Sequence, residues 1–321
     1  MLKTMKVVAS GRMREPAFAL LDAKTTLYPW QKGGKMPQEA FDELLAEAEG
    51  LFSAGNIKID EALLAKAPKL KVVAQASVGY DNIDVKACQA HGVRIGNTPG
   101  VLVDAVADLA YGLLLDSARM IVRGHEHVKS GAWGEHKGLG FGVDLAGKTL
   151  GIIGLGAIGS AVVPRAQASK MKIVYYNTHR RPDEAELGVQ YVDFATLLST
   201  ADFIMVMVPL TEKTKGLLGT AEFALMKPTA RLINTSRGKV VDTMALYHAL
   251  KEGKIAAAAL DVVDPEPLPG DHPLLTLPNI TITPHIGTST VETRDAMALL
   301  TARNILAALE EKPMPAEVFA K

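Results

Sequence analysis

Residues Gly154-Leu155-Gly156-Ala157-Ile158-Gly159 spell G-x-G-x-x-G directly after the apolar run Leu150-Gly151-Ile152-Ile153, near the middle of the chain. A strand that turns through glycines into a helix brings backbone N–H groups up to a pyrophosphate, whose charge the positive end of the helix favours. The pattern predicts a dinucleotide site on Gly154, Gly156, Ala157, Ile158 and Gly159. Glycine turns also arise for structural reasons alone, so the weight of this reading rests on the strand before the motif and the helix after it. Because the motif is central, the residues ahead of it must fold into something else, expected to be the part that holds a substrate.

Composition narrows the class further. At 321 residues the chain exceeds what a single core usually fills, so two domains are expected. Lys plus Arg and Asp plus Glu stand at 35 each, which leaves no net charge to draw the protein to nucleic acid or an acidic membrane. Cys88 is the only cysteine, so no intramolecular disulfide can form; it reads as a small core residue in a reducing compartment. The opening residues, Met1 to Ser10, turn polar too soon for a signal peptide, and no later run reaches membrane-spanning length. A cytoplasmic enzyme is the expectation.

Ahead of the fingerprint, Lys6 to Ala9 reads as a strand, and Phe41, Leu44, Leu45 and Ala48 recur at helical spacing before a buried strand at Leu70 to Ala74. A second helix and strand follow from Asp84 through Ile95, an α/β pattern with a parallel sheet but no glycine fingerprint of its own. Asn97-Thr98-Pro99-Gly100 breaks it, and Asp104 is placed to cap a long helix whose apolar face includes Val106, Leu109, Leu113 and Leu114. After Gly159 the alternation resumes, with strands expected at 173–176, 203–208, 231–234, 256–260 and 280–283. Pro164 predicts a kink early in the helix that follows the fingerprint. A last helix, roughly Val291 to Glu310, is expected to pack back on the first domain.

Three polar residues lie just past predicted strands: Arg237 in Asn234-Thr235-Ser236-Arg237-Gly238, Glu266 in Asp264-Pro265-Glu266-Pro267, and His285 in Thr283-Pro284-His285-Ile286-Gly287. In an open α/β sheet those ends face the ligand crevice. A dehydrogenase acting on an oxo acid needs a cation for the carboxylate, a proton donor for the carbonyl oxygen, and a group that keeps the donor charged. Arginine pairs a carboxylate through two parallel hydrogen bonds, and a carboxylate beside a histidine favours its protonated form. Taken singly, Arg237 reads rather as a turn cap, Glu266 as a solvated loop carboxylate and His285 as a satisfied histidine after a proline; it is the set at strand ends that points to chemistry.

Together with the fingerprint, the segments Ser77-Val78-Gly79-Tyr80-Asp81-Asn82-Ile83-Asp84, Asn234 to Gly238, Leu260 to Pro269 and Thr283 to Gly287 resemble the D-isomer-specific 2-hydroxyacid dehydrogenases over nearly the whole chain. The run from Asp261 to Pro269, followed by His272-Pro273-Leu274-Leu275, is most similar to the glyoxylate/hydroxypyruvate reductases of that family, and 2-ketogluconate reductases share much of it. The resemblance implies that the N–H groups of Val78 and Gly79 hold the substrate carboxylate, with Arg237 reaching both carboxylate and carbonyl. It implies that His285 protonates the carbonyl oxygen and that Glu266 orients and charges His285. It also implies that Val208, Pro209, Leu210, Thr235, Asp261, His285 and Gly287 line the nicotinamide side, with Asp261 near the carboxamide, and that the protein dimerises through the cofactor domain.

Cofactor choice is readable after Lys172-Ile173-Val174-Tyr175-Tyr176, where NAD enzymes usually carry Asp or Glu against the ribose hydroxyls. Here Asn177 stands in that place, followed by Thr178, His179, Arg180 and Arg181, so a repelling carboxylate is absent and cations are at hand for a 2′-phosphate. NADP is the expected preference, NAD a possible second, although paired arginines before Asp183 and Glu184 also suit a solvated loop. His125-Glu126-His127 with His136 does not suggest a metal site, because helical residues two apart point to different sides. Trp133 reads either as an interface anchor or as core.

The sequence thus predicts two Rossmann-like, doubly wound parallel-sheet domains. Residues 1–101 and 289–321 would form a substrate domain, and 102–288 an inserted cofactor domain, with catalysis in the cleft between them. The expected activity is NADPH-preferring reduction of a short 2-oxo acid, glyoxylate or hydroxypyruvate, to the D-2-hydroxy acid. The rivals are 2-ketogluconate reduction, another NAD(P)-dependent D-2-hydroxyacid dehydrogenase, and a dinucleotide-sensing corepressor-like binding protein, since fold does not fix function.

Overall fold

In the computed structural model, which describes residues 2–30, 36–55 and 57–319, two stretches of chain build one compact unit and the stretch between them builds another. The units are Met1–Leu102 with Ser289–Lys321, and Val103–Thr288. The chain starts with β1 (Lys6–Ala9), α1 (Glu15–Lys24), β2 (Thr26–Tyr28), α2 (Gln38–Ala46), β3 (Gly50–Ser53), α3 (Glu61–Leu64), β4 (Val72–Gln75), α4 (Val85–Ala90) and β5 (Arg94–Gly96). The inserted unit opens with α5 (Val103–Arg119), α6 (Ile121–Lys129), β6 (Thr149–Ile153), α7 (Ala157–Ala168), β7 (Lys172–Tyr176), α8 (Glu184–Leu187) and β8 (Gln190–Tyr191). It continues through α9 (Phe194–Thr200), β9 (Phe203–Val206), α10 (Thr220–Leu225), β10 (Arg231–Asn234), α11 (Thr243–Lys251), β11 (Ala257–Leu260) and β12 (Ile280–Ile282). The first unit is completed by α12 (Val291–Leu309) and β13 (Glu317–Val318).

The sheet of the inserted unit runs β12-β11-β10-β9-β6-β7-β8, every pairing parallel. Strand order reverses between β6 and β9, so the crevice at the carboxyl ends of these strands is the topological switch point where such sheets bind ligands. The first unit runs β13-β5-β4-β3-β1-β2 and reverses between β1 and β3. It departs from the expected all-parallel sheet at one edge, where β13 pairs antiparallel with β5.

Burial on both faces explains why the strands read as unbroken apolar runs. Along β9, Phe203 and Met205 enter one core of the inserted unit while Ile204 and Val206 enter the other. In the first unit Val7 and Ala9 of β1 pack on one face of the sheet and Val8 on the other. Asp84 and Asp193 accept hydrogen bonds from the first turns of α4 and α9, at 3.0 and 2.9 Å, and fix where those helices begin.

Two helix expectations are corrected. Asp104 lies inside the first turn of α5 rather than ahead of it, and its carboxylate meets Arg165 of α7 at 3.2 Å. Pro164 stands mid-helix in α7, not early, and α-helical structure runs through it to Ala168. Cys88 is fully buried, and desolvation pushes its thiol up to about 11. Among the described residues no helix is long and apolar enough to cross a membrane.

Candidate active site

At the switch point the fingerprint forms the turn from β6 into α7. Gly154 has φ +97°, and a Cβ there would sit 2.9 Å from the Met207 carbonyl carbon, so conformation and packing both demand glycine. A Cβ on Gly159 would meet the Gly154 carbonyl oxygen at 2.9 Å, which holds the helix close against the turn. At Gly156, by contrast, an added Cβ meets nothing within 4 Å, and no side chain caps the helix. The N–H groups of Ala157, Ile158 and Gly159 donate no hydrogen bond to the described residues. Open space beside a glycine, at a helix start with unpaired donors, fits a dinucleotide pyrophosphate.

Asn177 follows β7 and reaches back to this turn, its Oδ1 accepting from the Leu155 N–H at 2.7 Å. Thr178 and His179 come next and make no hydrogen bond with the described residues. The two arginines are already engaged. Arg181 makes a two-pronged pair with Asp183, at 2.8 and 2.6 Å, and donates to the Leu155 carbonyl at 3.0 Å. Arg180 pairs with Glu184, its Nε donating at 2.9 Å. Behind them, fully buried Tyr175 donates its hydroxyl to Glu184 at 2.8 Å and accepts from the Arg181 N–H at 2.9 Å. Arg180 and the Tyr175 hydroxyl hold the Glu184 carboxyl below its ordinary range. The sequence reading sets these arginines beside Asp183 and Glu184 as an alternative to a phosphate; what it does not find is Tyr175, whose hydroxyl ties Glu184 to the Arg181 backbone.

On the other side of the switch point, β10, β11 and β12 end level with one another: Asn234 lies opposite Leu260, and Leu260 opposite Ile282. Arg237, Glu266 and His285 lie on the segments beyond these ends. The segments continue to pair, with the Asp261 N–H donating to Asn234, the Thr283 N–H to Leu260, and the His285 N–H to the Asp261 carbonyl at 3.0 Å. His285 itself has φ +54°, a left-handed conformation that a side chain adopts at some cost.

Two buried residues shape these turns. The Asp261 carboxylate accepts from the Thr283 hydroxyl at 2.6 Å and from the N–H groups of Ile286 and Gly287 at 2.8 Å each, bracketing His285. Asn234 does the same for the arginine: its Oδ1 accepts from the Ser236 N–H at 3.0 Å and its Nδ2 donates to the Arg237 carbonyl at 3.1 Å. Gly238 then allows the backbone to pass the next loop, since a Cβ there would lie 1.9 Å from the Val263 carbonyl oxygen. The result of this scaffolding is that His285 Nδ1 meets Glu266 Oε1 at 2.6 Å, both side chains remaining about half exposed. Arg237 Nη1 donates to the Ser236 carbonyl at 2.8 Å.

The remaining candidates distribute as follows. Val208 adjoins Gly154, its Cγ1 lying 2.8 Å from a Cβ built on that glycine, and Pro209 is the next residue. The Thr235 hydroxyl faces Met207 Sδ at 3.5 Å, and Gly287 lies against Asp261. Val78 and Gly79 belong to the other unit, in the loop after β4. Trp133 is 70% exposed and therefore not core. Among the described residues no group of His, Cys, Asp or Glu is arranged to hold a metal ion, and His127 instead meets the Lys137 carbonyl at 2.9 Å.

A glycine-rich turn at the switch point, with a carboxylate-paired histidine and an arginine past neighbouring strands, defines a dinucleotide-binding oxidoreductase. Residues 111–287 match the model for the NAD-binding domain of the D-isomer specific 2-hydroxyacid dehydrogenases. A glyoxylate reductase of Thermococcus litoralis is 46% identical over 308 residues, covering 94% of this chain and 93% of that protein. Among solved structures, a glyoxylate reductase from Paecilomyes thermophila superposes with TM-score 0.88 at 32% identity over 98% of each chain. The NADPH-dependent glyoxylate/hydroxypyruvate reductase of Sinorhizobium meliloti, solved with NADP and malonate, gives TM-score 0.87 at 29% identity, covering 98% of this chain and 96% of that one. The chain belongs to the D-isomer specific 2-hydroxyacid dehydrogenase family and binds a nicotinamide dinucleotide.

Proposed function

We propose that the protein reduces a short 2-oxo acid, glyoxylate or hydroxypyruvate, to the D-2-hydroxy acid, using NADPH in preference to NADH. The observation that carries this reading is the His285 and Glu266 pair at 2.6 Å, supported by relatives named for glyoxylate reduction. With Nδ1 turned to the carboxylate, Nε2 is the ring atom left to give a proton to the carbonyl oxygen. Reduced nicotinamide, when bound, supplies the hydride. The Arg237 guanidinium pairs the substrate carboxylate and draws charge toward the carbonyl oxygen, and the N–H groups of Val78 and Gly79 complete carboxylate binding. Gly154 to Gly159 hold the pyrophosphate, Asn177 to Arg181 the adenosine ribose and its 2′-phosphate, and Val208, Pro209, Thr235, Asp261 and Gly287 the nicotinamide side. Initial rates over a panel of 2-oxo acids test the proposal: glyoxylate and hydroxypyruvate should lead, and a preference for bulky branched acids or 2-ketogluconate would overturn it.

Glu266→Gln isolates the charge of that pair. Glutamine keeps an oxygen for the Nδ1–H but no longer balances an imidazolium, so kcat should fall by about a hundredfold, the lower end of the range for acid–base groups, with the KM for NADPH unchanged. A Glu266→Gln enzyme with wild-type kcat would limit Glu266 to orientation.

We also propose a cytoplasmic homodimer formed through the cofactor unit. Segment 121–141 exposes large apolar side chains, among them Ile121 (58%), Val128 (54%), Trp133 (70%) and Phe141 (99%), which a partner chain would cover. Light scattering at micromolar concentration should give the mass of two chains, and Trp133→Ala with Phe141→Asp should reduce it to one. A wild-type protein with the mass of a single chain would contradict the dimer.

A further inference from the structure

The loop after β4 has three successive carbonyl groups tied down. The Ser77 carbonyl accepts from the Thr98 N–H at 3.1 Å, that of Val78 from Asn97 Nδ2 at 2.9 Å, and that of Gly79 from Gln75 Nε2 at 2.6 Å and the Ser77 hydroxyl at 2.6 Å. These peptides are trans. In a planar trans peptide the N–H points opposite to the C=O, so pinning each carbonyl aims the next residue's N–H away from the pinning group. The N–H groups of Val78, Gly79 and Tyr80 accordingly donate no hydrogen bond to the described residues. Successive unpaired N–H groups of this kind make an anion site.

The groups doing the pinning are buried and braced. Gln75 is 1% exposed, and its amide pairs reciprocally with that of Asn82, at 2.8 and 2.9 Å. Asn82 in turn donates to the Ile57 carbonyl at 2.7 Å. Asn97 is 9% exposed, and its own carbonyl accepts from fully buried Asn304 at 2.9 Å. Burying amides is unfavourable unless their hydrogen bonds are met, and here part of what meets them is the backbone of one short loop. We propose that Gln75 and Asn97 are positioning residues for the substrate carboxylate. They do not touch the substrate; they hold the 77–80 loop so that its N–H groups stay available and correctly aimed. The inference rests on the reading that Val78 and Gly79 receive that carboxylate.

The test uses Gln75→Leu, which keeps reach but removes the donors, and Asn97→Ala. Measured quantities are the KM for glyoxylate, the Ki of malonate as a carboxylate probe, the Kd for NADPH and Tm. Hydrogen bonds to charged groups are worth enough that misaiming the donors should raise KM and Ki by about tenfold or more, with NADPH affinity within about twofold of wild type. A merely structural role would lower Tm and the active fraction but leave Ki where it was. Should Gln75→Leu fail to fold, Asn97→Ala reads the same role at the Val78 carbonyl. Wild-type KM and Ki in the folded variants would overturn the inference alone. Failure of malonate to compete with glyoxylate in the wild-type enzyme would instead overturn the carboxylate reading beneath it.

Discussion

His285→Ala is expected to lower kcat on the best 2-oxo acid by about a hundredfold to ten-thousandfold, the usual contribution of a positioned proton donor. Fold and NADPH affinity should survive, because the turn is held by the Asp261 carboxylate acting on Thr283, Ile286 and Gly287, none of whose bonds involve the imidazole. Arg237→Ala should be comparably severe but different in form. It removes both the carboxylate partner and the charge that stabilises the developing alkoxide, so KM rises as kcat falls. The Asn234 bonds to Ser236 and to the Arg237 backbone do not depend on the guanidinium, and the turn should persist. Steady-state kinetics with Tm and NADPH titration separate these cases. A His285→Ala enzyme with near wild-type kcat would remove the acid assignment.

Exchanging Asn177→Asp together with Arg180→Ala should reverse or erase the preference for NADPH in kcat/KM. The wild-type arginines are not idle, which raises the question of whether a phosphate can win them. Arg180 is 68% exposed, whereas its partner Glu184 is 15% exposed and is also held by the Tyr175 hydroxyl, so the arginine is the free-moving member of the pair. A phosphate carries more charge than one carboxylate and offers a guanidinium the same two-pronged geometry, so an exposed arginine can exchange one for the other. Arg181, with a two-pronged partner and a bond to the Leu155 carbonyl, is better suited to holding the turn than to leaving it. Under the proposed NADPH preference Arg180 is the arginine expected to discriminate, and its loss plus a repelling carboxylate at 177 should shift the ratio of kcat/KM values by about a hundredfold. Equal use of both cofactors by the wild-type enzyme would contradict this account.

The sequence made the scaffold legible where periodicity and composition agree. The strands of the inserted unit read as apolar runs because both faces are covered, and the fingerprint announced the turn from β6 to α7. Short or edge elements were less legible: β2 spans Thr26–Tyr28 and β13 only Glu317–Val318, and the antiparallel pairing of β13 depends on where α12 delivers the chain. The same limit applied to Asp104, whose residue type suits a cap but whose partner, Arg165, is 61 residues away.

At the site, the candidate side chains Arg237, Glu266 and His285 stood out because the proposed chemistry restricts such roles to few residue types. The groups that place them did not. Asn234 and Asp261 lie within quoted motifs, yet their function is to satisfy backbone groups of turns whose shape exists only after β10, β11 and β12 align. Gly238 is obligatory because of the Val263 carbonyl, a contact between segments that no local pattern encodes. Arg180 and Arg181 show the converse, since residue type fits a phosphate and a carboxylate equally, and only the fold shows that Asp183 and Glu184, both visible in the sequence, pair with them.

The most direct test of the central claim is to incubate the wild-type enzyme with hydroxypyruvate and NADPH, follow cofactor oxidation, and determine the hand of the glycerate formed. The account predicts rapid turnover and D-glycerate. L-glycerate, or no turnover with either hydroxypyruvate or glyoxylate, would contradict it.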